Sequence, residues 1–231
     1  MTDRTHFNCS NPLFLRWLPG WHGLLCGLLL LLLSGQALAN TEAKVLVFGD
    51  SLSAAYGIAP EEGWVTLLAK QLERGDYPVA VANASVSGET TSGGLARLPA
   101  ALQAHQPDLV VLELGGNDGL RGLPVAQMRA NLQEMIELSL DNGAEVLLIG
   151  IQIPPNYGPR YTEPFYAQYQ ELADAYDLAL LPFLLEGIAD NPALMQNDGV
   201  HPIAAAQPMI VDNVWPVLAP LLPAPALSDE T

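Results

Sequence analysis

Two short motifs place a hydroxyl, an imidazole and a carboxylate where they could carry out acyl transfer. Ser51 follows Gly49 and Asp50 at the end of an apolar run, and Asp198 precedes His201 by three residues near the C-terminus. A serine hydroxyl becomes an effective nucleophile when a base takes its proton, and an imidazole titrates near neutrality. A nearby carboxylate can accept the other ring N–H and fix the tautomer. These residue types predict Ser51 as nucleophile, His201 as general base and Asp198 as orienting acid.

Each motif also has an ordinary structural interpretation. The Gly49-Asp50-Ser51 stretch is compatible with a plain turn in which Asp50 or Ser51 caps a helix. Asp50 could replace Asp198 as orienting acid, but its position favours hydrogen bonds to the local backbone. His201 alone would be an ordinary surface histidine. His105, the other histidine outside the N-terminal segment, lies in a helix-end context and is interpreted as structural.

Five apolar runs of strand length alternate with helix-like stretches. The third and fourth runs are almost continuously apolar, which is typical of parallel strands covered on both faces. The runs begin at Lys44, Pro78, Asp108, Ala144 and Leu178. The helix-like stretches cover residues 63–75, 123–143, 163–177 and 204–222, the last interrupted by Pro208 and Pro216. This alternation predicts a three-layer α/β/α fold with a parallel sheet of about five strands.

The residues that could do chemistry follow these strands. Parallel α/β sheets bind ligands at the carboxyl ends of their strands. Ser51 follows the first run, Gly88 lies in the polar loop after the second, and Asn117 stands behind two glycines after the third. Together with His201, they are expected in four loops at one edge of the sheet.

Five stretches in a fixed order resemble those of the SGNH hydrolases, also called GDSL esterases. They span Val45 to Pro202 and read GDSLSAAYG, NASVSGETTSGGLARLPA, ELGGNDGLRG, IPPNYGPRY and DGVHP. Within that family, the chain is most similar to the multifunctional bacterial periplasmic thioesterase I/lysophospholipase group. The family usually has SAGYG where this chain has Ala55, a difference that affects no reactive residue.

The resemblance implies a flavodoxin-like sheet and an oxyanion hole. Its donors would be the backbone N–H groups of Ser51 and Gly88 and the side-chain amide of Asn117, a set suited to a developing negative charge. The implied reaction is hydrolysis of carboxylic esters and thioesters with acyl or aryl groups. The candidate substrate contacts, in the nucleophile turn and in two glycine- and proline-rich loops, are Asp50, Leu120, Ile153, Pro154 and Tyr157.

The N-terminal segment has the pattern of a secretory signal peptide. A basic start precedes a leucine-rich apolar run, and Ala37-Leu38-Ala39 forms a small-x-small cleavage site. Residues 1–39 are therefore predicted to be removed after export across the inner membrane, leaving a periplasmic chain without stable membrane insertion. An uncleaved membrane anchor is the alternative. Residues 40–231 are predicted to form one domain, with a loose tail from about residue 223.

The cysteine content and the net charge of the chain limit the cofactors and partners that it can have. Both cysteines lie in the leader, which leaves no disulfide or thiol nucleophile after cleavage, and the serine chemistry requires no metal or cofactor. The net charge of −16 is spread along the chain without a basic block, which argues against nucleic-acid binding. We expect a monomer that acts on small acyl esters, thioesters or lysophospholipids.

Three alternative functions are considered. A carbohydrate O-deacetylase of the same superfamily would share the triad but would need an open, polar cleft. A catalytically silent binding module could use the same α/β frame, although the intact set of reactive residues argues against it. A nucleotide-binding flavodoxin-like domain is the least favoured, because the chain has neither G-x-G-x-x-G nor a P-loop.

Overall fold

The computed structural model describes residues 42–225 and contains one five-stranded sheet flanked by helices. The strands are β1 (Ala43–Gly49), β2 (Val79–Asn83), β3 (Leu109–Glu113), β4 (Glu145–Ile149) and β5 (Ala179–Leu181). The helices are α1 (Trp64–Arg74), α2 (Thr91–His105), α3 (Gly116–Leu120), α4 (Val125–Asp141), α5 (Pro159–Tyr176) and α6 (Gln207–Leu218). All strand pairs are parallel, in the order β2-β1-β3-β4-β5.

Alternate residues of each central strand pack against different helix layers. In β1, Val45 and Val47 contact the core formed with α1 and α6, while Leu46 and Phe48 contact the core formed with α2, α4 and α5. Because both faces of the sheet are covered, its central strands are buried almost throughout. The predicted three-layer α/β/α fold with five parallel strands is confirmed.

Helix α2 was not among the predicted helices, because its sequence contains two glycines and a proline. Its first turn is capped by Thr90, whose side chain accepts the Gly93 N–H. Gly94 then faces the core: a Cβ there would lie 2.5 Å from Leu114 Cδ1. Glycine at this position therefore lets the helix approach the sheet closely. Its low helix propensity suggests a loop, but the residue is in the helix because only glycine fits against the sheet.

The prediction that two prolines interrupt the C-terminal helix is wrong. Pro208 lies in the first turn of α6, where a missing N–H costs nothing, and Pro216 lies inside the helix without ending it. Short 3-10 turns, Ala204–Ala206 and Ala219–Leu221, extend the helical segment at both ends.

The described residues include no helix long and apolar enough to cross a membrane. The predicted signal peptide at residues 1–39 and the last six residues of the predicted tail lie outside them.

Candidate active site

Ser51 lies on the turn that follows β1, at the carboxyl edge of the sheet. Strand β1 ends at Gly49, where a Cβ would lie 2.5 Å from Oε2 of Glu113. Only glycine permits this close approach between neighbouring strands. The Asp50 carbonyl then accepts the Ala54 N–H at 2.9 Å and closes the turn. The turn leaves Ser51 at the wall of a cavity.

The three residues of the predicted triad lie in one hydrogen-bonded row. Ser51 Oγ is 2.8 Å from Nε2 of His201, and Nδ1 of the same ring is 2.7 Å from Oδ2 of Asp198. Ser51 and His201 are 150 positions apart in the chain, so the fold alone brings them together. This row can pass a proton from the hydroxyl to the imidazole.

The other carboxylate oxygen of Asp198 organises its own loop. Oδ1 accepts the backbone N–H groups of Val200 at 2.9 Å and His201 at 3.0 Å. Partial burial raises the pKa of Asp198, but the hydrogen bonds from His201 and Val200 outweigh it and lower the pKa to about 2. Asp198 therefore stays ionised at any pH where an imidazole can act as a base.

Tyr56 contacts the histidine ring and was not among the predicted site residues. Its ring centroid is 4.4 Å from that of His201. Gln196 ties the two segments together, because its Nε2 donates to the carbonyls of Tyr56 at 2.8 Å and Pro202 at 3.0 Å. The position of Tyr56 in the GDSLSAAYG stretch, five residues after Ser51, is the signal that could have identified it.

Gly88 lies in the loop after β2 with φ of +80°, a conformation that favours glycine. Two arginines hold this loop. Arg121 Nη2 donates to the Gly88 carbonyl at 3.0 Å, while Arg97 donates to the Ala84 carbonyl at 2.8 Å and to Glu89 at 2.9 Å. The backbone of the loop is therefore fixed from both sides.

Asn117 lies on the short helix α3, directly after β3. Its Nδ2 donates to Oδ2 of Asp50 at 3.0 Å, and the side chain lines the cavity. The next residue, Asp118, anchors the helix: its carboxylate accepts the Thr91 N–H at 2.8 Å and the Thr91 hydroxyl at 2.6 Å. Asn131 of α4 donates to that hydroxyl at 3.0 Å. A buried network thus fixes the backbone that carries Asn117.

Two buried acids, Asp50 and Glu113, lie beneath the nucleophile turn. Glu113 Oε2 accepts the Ser53 hydroxyl at 2.7 Å and the Asp50 N–H at 3.3 Å. Burial raises the pKa of Asp50 to about 6, although hydrogen bonds from Leu52 and Asn117 lower it. Burial and the charge of Asp50 raise the pKa of Glu113 well above its usual range, which favours the protonated form.

Two backbone donors at the site have no acceptor among the described residues. Within residues 42–225, neither the Ser51 N–H nor the Gly88 N–H donates a hydrogen bond to the protein. Both residues line the same cavity as Asn117. The three residues predicted to form the oxyanion hole therefore line the same cavity.

The cavity has a volume of about 850 Å³. Of the predicted substrate contacts, Asp50, Leu120, Ile153 and Pro154 line it. Tyr157 does not; its hydroxyl donates to the Leu120 carbonyl at 2.7 Å and so ties one loop to another. Further apolar lining comes from residues that the motifs did not identify, namely Ile151, Tyr166, Phe183, Leu185, Met195 and Val200.

Other candidate groups do not contribute to this site. His105 lies in the last turn of α2, near the amino end of β3 and so at the opposite edge of the sheet. Within residues 42–225, no group of three or more His, Cys, Asp or Glu side chains is arranged to hold a metal ion.

Known proteins share both the sequence and the fold. Residues 47–207 match the GDSL-like Lipase/Acylhydrolase family. Esterase TesA of Pseudomonas aeruginosa is 54% identical over 200 residues, which cover 86% of this chain and 98% of that protein. An arylesterase of Vibrio mimicus is 47% identical, covering 78% of this chain and 90% of that protein.

A multifunctional relative and a solved structure are also similar to this chain. The thioesterase 1/protease 1/lysophospholipase L1 of Escherichia coli K12 is 44% identical, covering 87% of this chain and 94% of that protein. A crystal structure of TesA superimposes with a TM-score of 0.76 at 54% identity, covering 78% of this chain and 99% of that chain.

Proposed function

The chain belongs to the GDSL-like lipase/acylhydrolase family and is an ester hydrolase, and we propose that it cleaves acyl esters and thioesters through a Ser51–His201–Asp198 triad. One observation carries this proposal: the unbroken row from Ser51 Oγ through the His201 ring to Asp198 Oδ2, with contacts of 2.8 and 2.7 Å. No other histidine lies at this edge of the sheet within the described residues.

The first half of the reaction acylates the enzyme. Ser51 Oγ attacks the carbonyl carbon while Nε2 of His201 takes the hydroxyl proton, and Asp198 stabilises the resulting imidazolium. The tetrahedral intermediate collapses, the bond from carbon to the leaving oxygen or sulfur breaks, and His201 returns the proton to the leaving group. In the second half, His201 takes a proton from water, which attacks the acyl-enzyme. The bond from the acyl carbon to Ser51 Oγ breaks, the carboxylic acid leaves, and His201 returns the proton to Ser51 Oγ.

The negative charge on the intermediate needs donors that are already in place. We assign this task to the N–H groups of Ser51 and Gly88 and the Asn117 amide. The absence of a protein acceptor for either N–H within residues 42–225 supports the assignment. The positive φ of Gly88 and the arginines that hold its loop keep the second donor fixed.

The cavity favours aliphatic acyl groups. Its volume of about 850 Å³ and its apolar wall can hold a chain of several carbons. We therefore propose lysophospholipids, thioesters and aryl esters as substrate classes. Because a polar, open cleft would suit a sugar acetate better, the apolar wall supports the acyl esterase over the carbohydrate deacetylase.

The compartment follows from the N-terminal pattern. We propose that residues 1–39 are cleaved after export, that residues 40–231 function as one monomeric domain, and that the enzyme works in the periplasm. A secreted enzyme has little access to acyl-CoA, so lysophospholipids and exogenous esters are the proposed natural substrates.

The test compares residues 40–231 with the Ser51→Ala variant on p-nitrophenyl acetate, butyrate, octanoate and palmitate, then on lysophosphatidylcholine and palmitoyl-CoA. Losing the nucleophile is expected to reduce kcat by about 10⁴- to 10⁶-fold on every substrate. We expect wild-type turnover to peak at medium or long chains. Cleavage of acetate alone would favour the deacetylase. Equal inactivity of both proteins, with intact circular dichroism, would overturn the proposed activity.

A further inference from the structure

The carboxylate of Asp50 connects the nucleophile turn to the oxyanion amide. Its Oδ1 accepts the Leu52 N–H at 3.0 Å, and its Oδ2 accepts Nδ2 of Asn117 at 3.0 Å. Asp50 and Asn117 are 67 positions apart in the chain. We propose that Asp50 is a positioning residue that fixes which end of the Asn117 amide faces the reacting carbonyl. The inference rests on the proposed role of Asn117 as an oxyanion donor.

The side-chain amide of Asn117 has two chemically different ends. Asn117 can present either its NH₂ group or its carbonyl oxygen to the substrate, depending on a rotation that hardly changes its shape. An ionised carboxylate accepts hydrogen bonds and donates none. The contact with Asp50 therefore selects the NH₂ end. That group has two hydrogens, so one binds Asp50 while the other remains for the substrate in the cavity that Asn117 lines.

The position of the Asp50 carboxylate is itself fixed. The residue is 2% exposed, and its backbone N–H donates to Glu113 at 3.3 Å. A Cβ on Gly116 would lie only 3.2 Å from Asp50 Oδ2, so the turn before Asn117 packs against the carboxylate. Asp50 cannot move away from the amide without disturbing these contacts.

An asparagine cannot take the place of Asp50. Both partners, the Leu52 N–H and the Asn117 NH₂, are donors, so residue 50 must accept on both of its side-chain atoms. The side chain of Asn has one acceptor and one donor. In Asp50→Asn, one of the two contacts therefore becomes a donor facing a donor. The Asn117 amide is expected to rotate and to turn its carbonyl oxygen toward the cavity, where it would repel an oxyanion.

The first experiment is a double-mutant cycle on p-nitrophenyl butyrate. Asn117→Ala and Asp50→Asn are each expected to lower kcat about 10²- to 10³-fold. The kcat of the double variant should be at most about threefold below that of the less active single variant. Asp108→Asn is the matched control, because Asp108 accepts the Lys44 N–H at 2.8 Å at the opposite edge of the sheet; its kcat should stay within about twofold of wild type.

The second experiment exchanges the two side chains. In Asp50→Asn with Asn117→Asp, the asparagine can accept from Leu52 and donate to the new carboxylate, so both contacts are satisfied and the net charge is unchanged. Thermal stability should return to within a few degrees of wild type, whereas turnover should stay at least about 10²-fold reduced because residue 117 no longer offers a donor. If Asp50→Asn alone does not fold, the thermal stability of this variant tests the paired contact, and a failure to recover stability would overturn the inference.

The outcomes separate the two hypotheses. If Asn117→Ala retains wild-type activity, the proposed oxyanion role and this inference both fail. If Asn117→Ala is impaired but Asp50→Asn matches wild type, or if the two effects multiply, only the positioning role fails. Recovery of activity in the exchanged variant would show that turnover needs no donor at residue 117, and would overturn both the oxyanion role and this inference.

Discussion

Two aspartates flank the nucleophile turn, and their surroundings differ in almost every respect. Asp198 lies on a loop with its side chain 41% exposed, whereas Asp50 is buried beneath the turn. Asp198 accepts three hydrogen bonds, two from backbone N–H groups and one from the His201 ring, and its pKa falls to about 2. Burial raises the pKa of Asp50 to about 6.

The difference follows from what each acid contacts. In the proposed mechanism, Asp198 faces an imidazole that gains a full positive charge during turnover, so Asp198 must be ionised beforehand. Three hydrogen-bond donors on a solvent-accessible loop keep it ionised. Asp50 contacts no group that exchanges protons with substrate. Its burial gives a fixed position instead, at the expense of a less favourable charge. In the proposed mechanism, the exposed acid thus serves proton transfer and the buried acid serves positioning.

The largest effect should come from the exposed acid. In Asp198→Asn the amide cannot stabilise the imidazolium, and the ring loses the partner that fixes its tautomer. We expect kcat to fall by about 10³- to 10⁴-fold, as in other serine hydrolase triads, with KM changed by less than about threefold. Steady-state kinetics on p-nitrophenyl butyrate measure both values. Asp212→Asn, on the exposed side of α6, is the control and should match wild type.

A loss below tenfold in Asp198→Asn would mean that His201 is oriented by other contacts. The ring of Tyr56, which contacts that of His201, and the Gln196 hydrogen bonds, which join the two segments, are the contacts that could do so.

Substitution of Glu113, beneath the turn, should change the stability of the protein rather than proton transfer. Glu113→Leu removes the acceptor of the Ser53 hydroxyl and the Asp50 N–H, each of which would cost about 1–3 kcal/mol when left unpaired. Glu113→Gln keeps one oxygen that can accept both. We expect the leucine variant to lose about 2–4 kcal/mol of unfolding free energy in urea, and the glutamine variant about 1 kcal/mol or less.

Equal stability of the leucine and glutamine variants would show that Glu113 acts only by filling space. Each variant is the control for the other, because the two side chains are similar in size and differ in their ability to accept a hydrogen bond.

Much of the site could be predicted because its residues immediately follow strands. Ser51, Gly88 and Asn117 come after β1, β2 and β3, and parallel strands end at one edge. The Asp198-x-x-His201 spacing supplied the remaining pair. Since the five matching stretches span most of the domain, the resemblance to the GDSL family was also recognisable, and it is confirmed.

The supporting contacts were not predictable in the same way. The contact between Asp50 and Asn117 joins two loops whose relative distance depends on the register of β1 and β3. Helix α2 was missed because Gly94 lowers helix propensity locally while improving packing against Phe48 and Leu114. One signal was available: Glu113 is an acid at the end of an otherwise apolar strand, which marks a residue with a specific partner.

The smallest predicted effect concerns how the two kinds of acid respond to pH. An acid whose pKa is raised on folding binds more protons in the folded state, so stability decreases as pH rises through the interval between the two pKa values. For Asp50 this interval runs from about 3.8 to about 6, and for Glu113 it begins at about 4.5 and extends further upward. The effect of Asp198 on stability has the opposite pH dependence, because its pKa is lowered on folding. Its contribution to the free energy of unfolding is present above about pH 3.8 and is lost as the pH falls toward 2.

Comparison of wild type with Glu113→Gln isolates one of these contributions. Between pH 5 and pH 8, wild type should lose more unfolding free energy than the glutamine variant, because glutamine does not titrate. Urea unfolding at both pH values measures the difference, and the contributions of groups that do not interact with Glu113 cancel. Asp50, whose charge raises the pKa of Glu113, remains in both. Parallel pH profiles would mean that Glu113 is ionised in the folded protein from pH 5 to pH 8. The buried acids would then be ionised like Asp198, and the contrast between the two sides of the turn would fail.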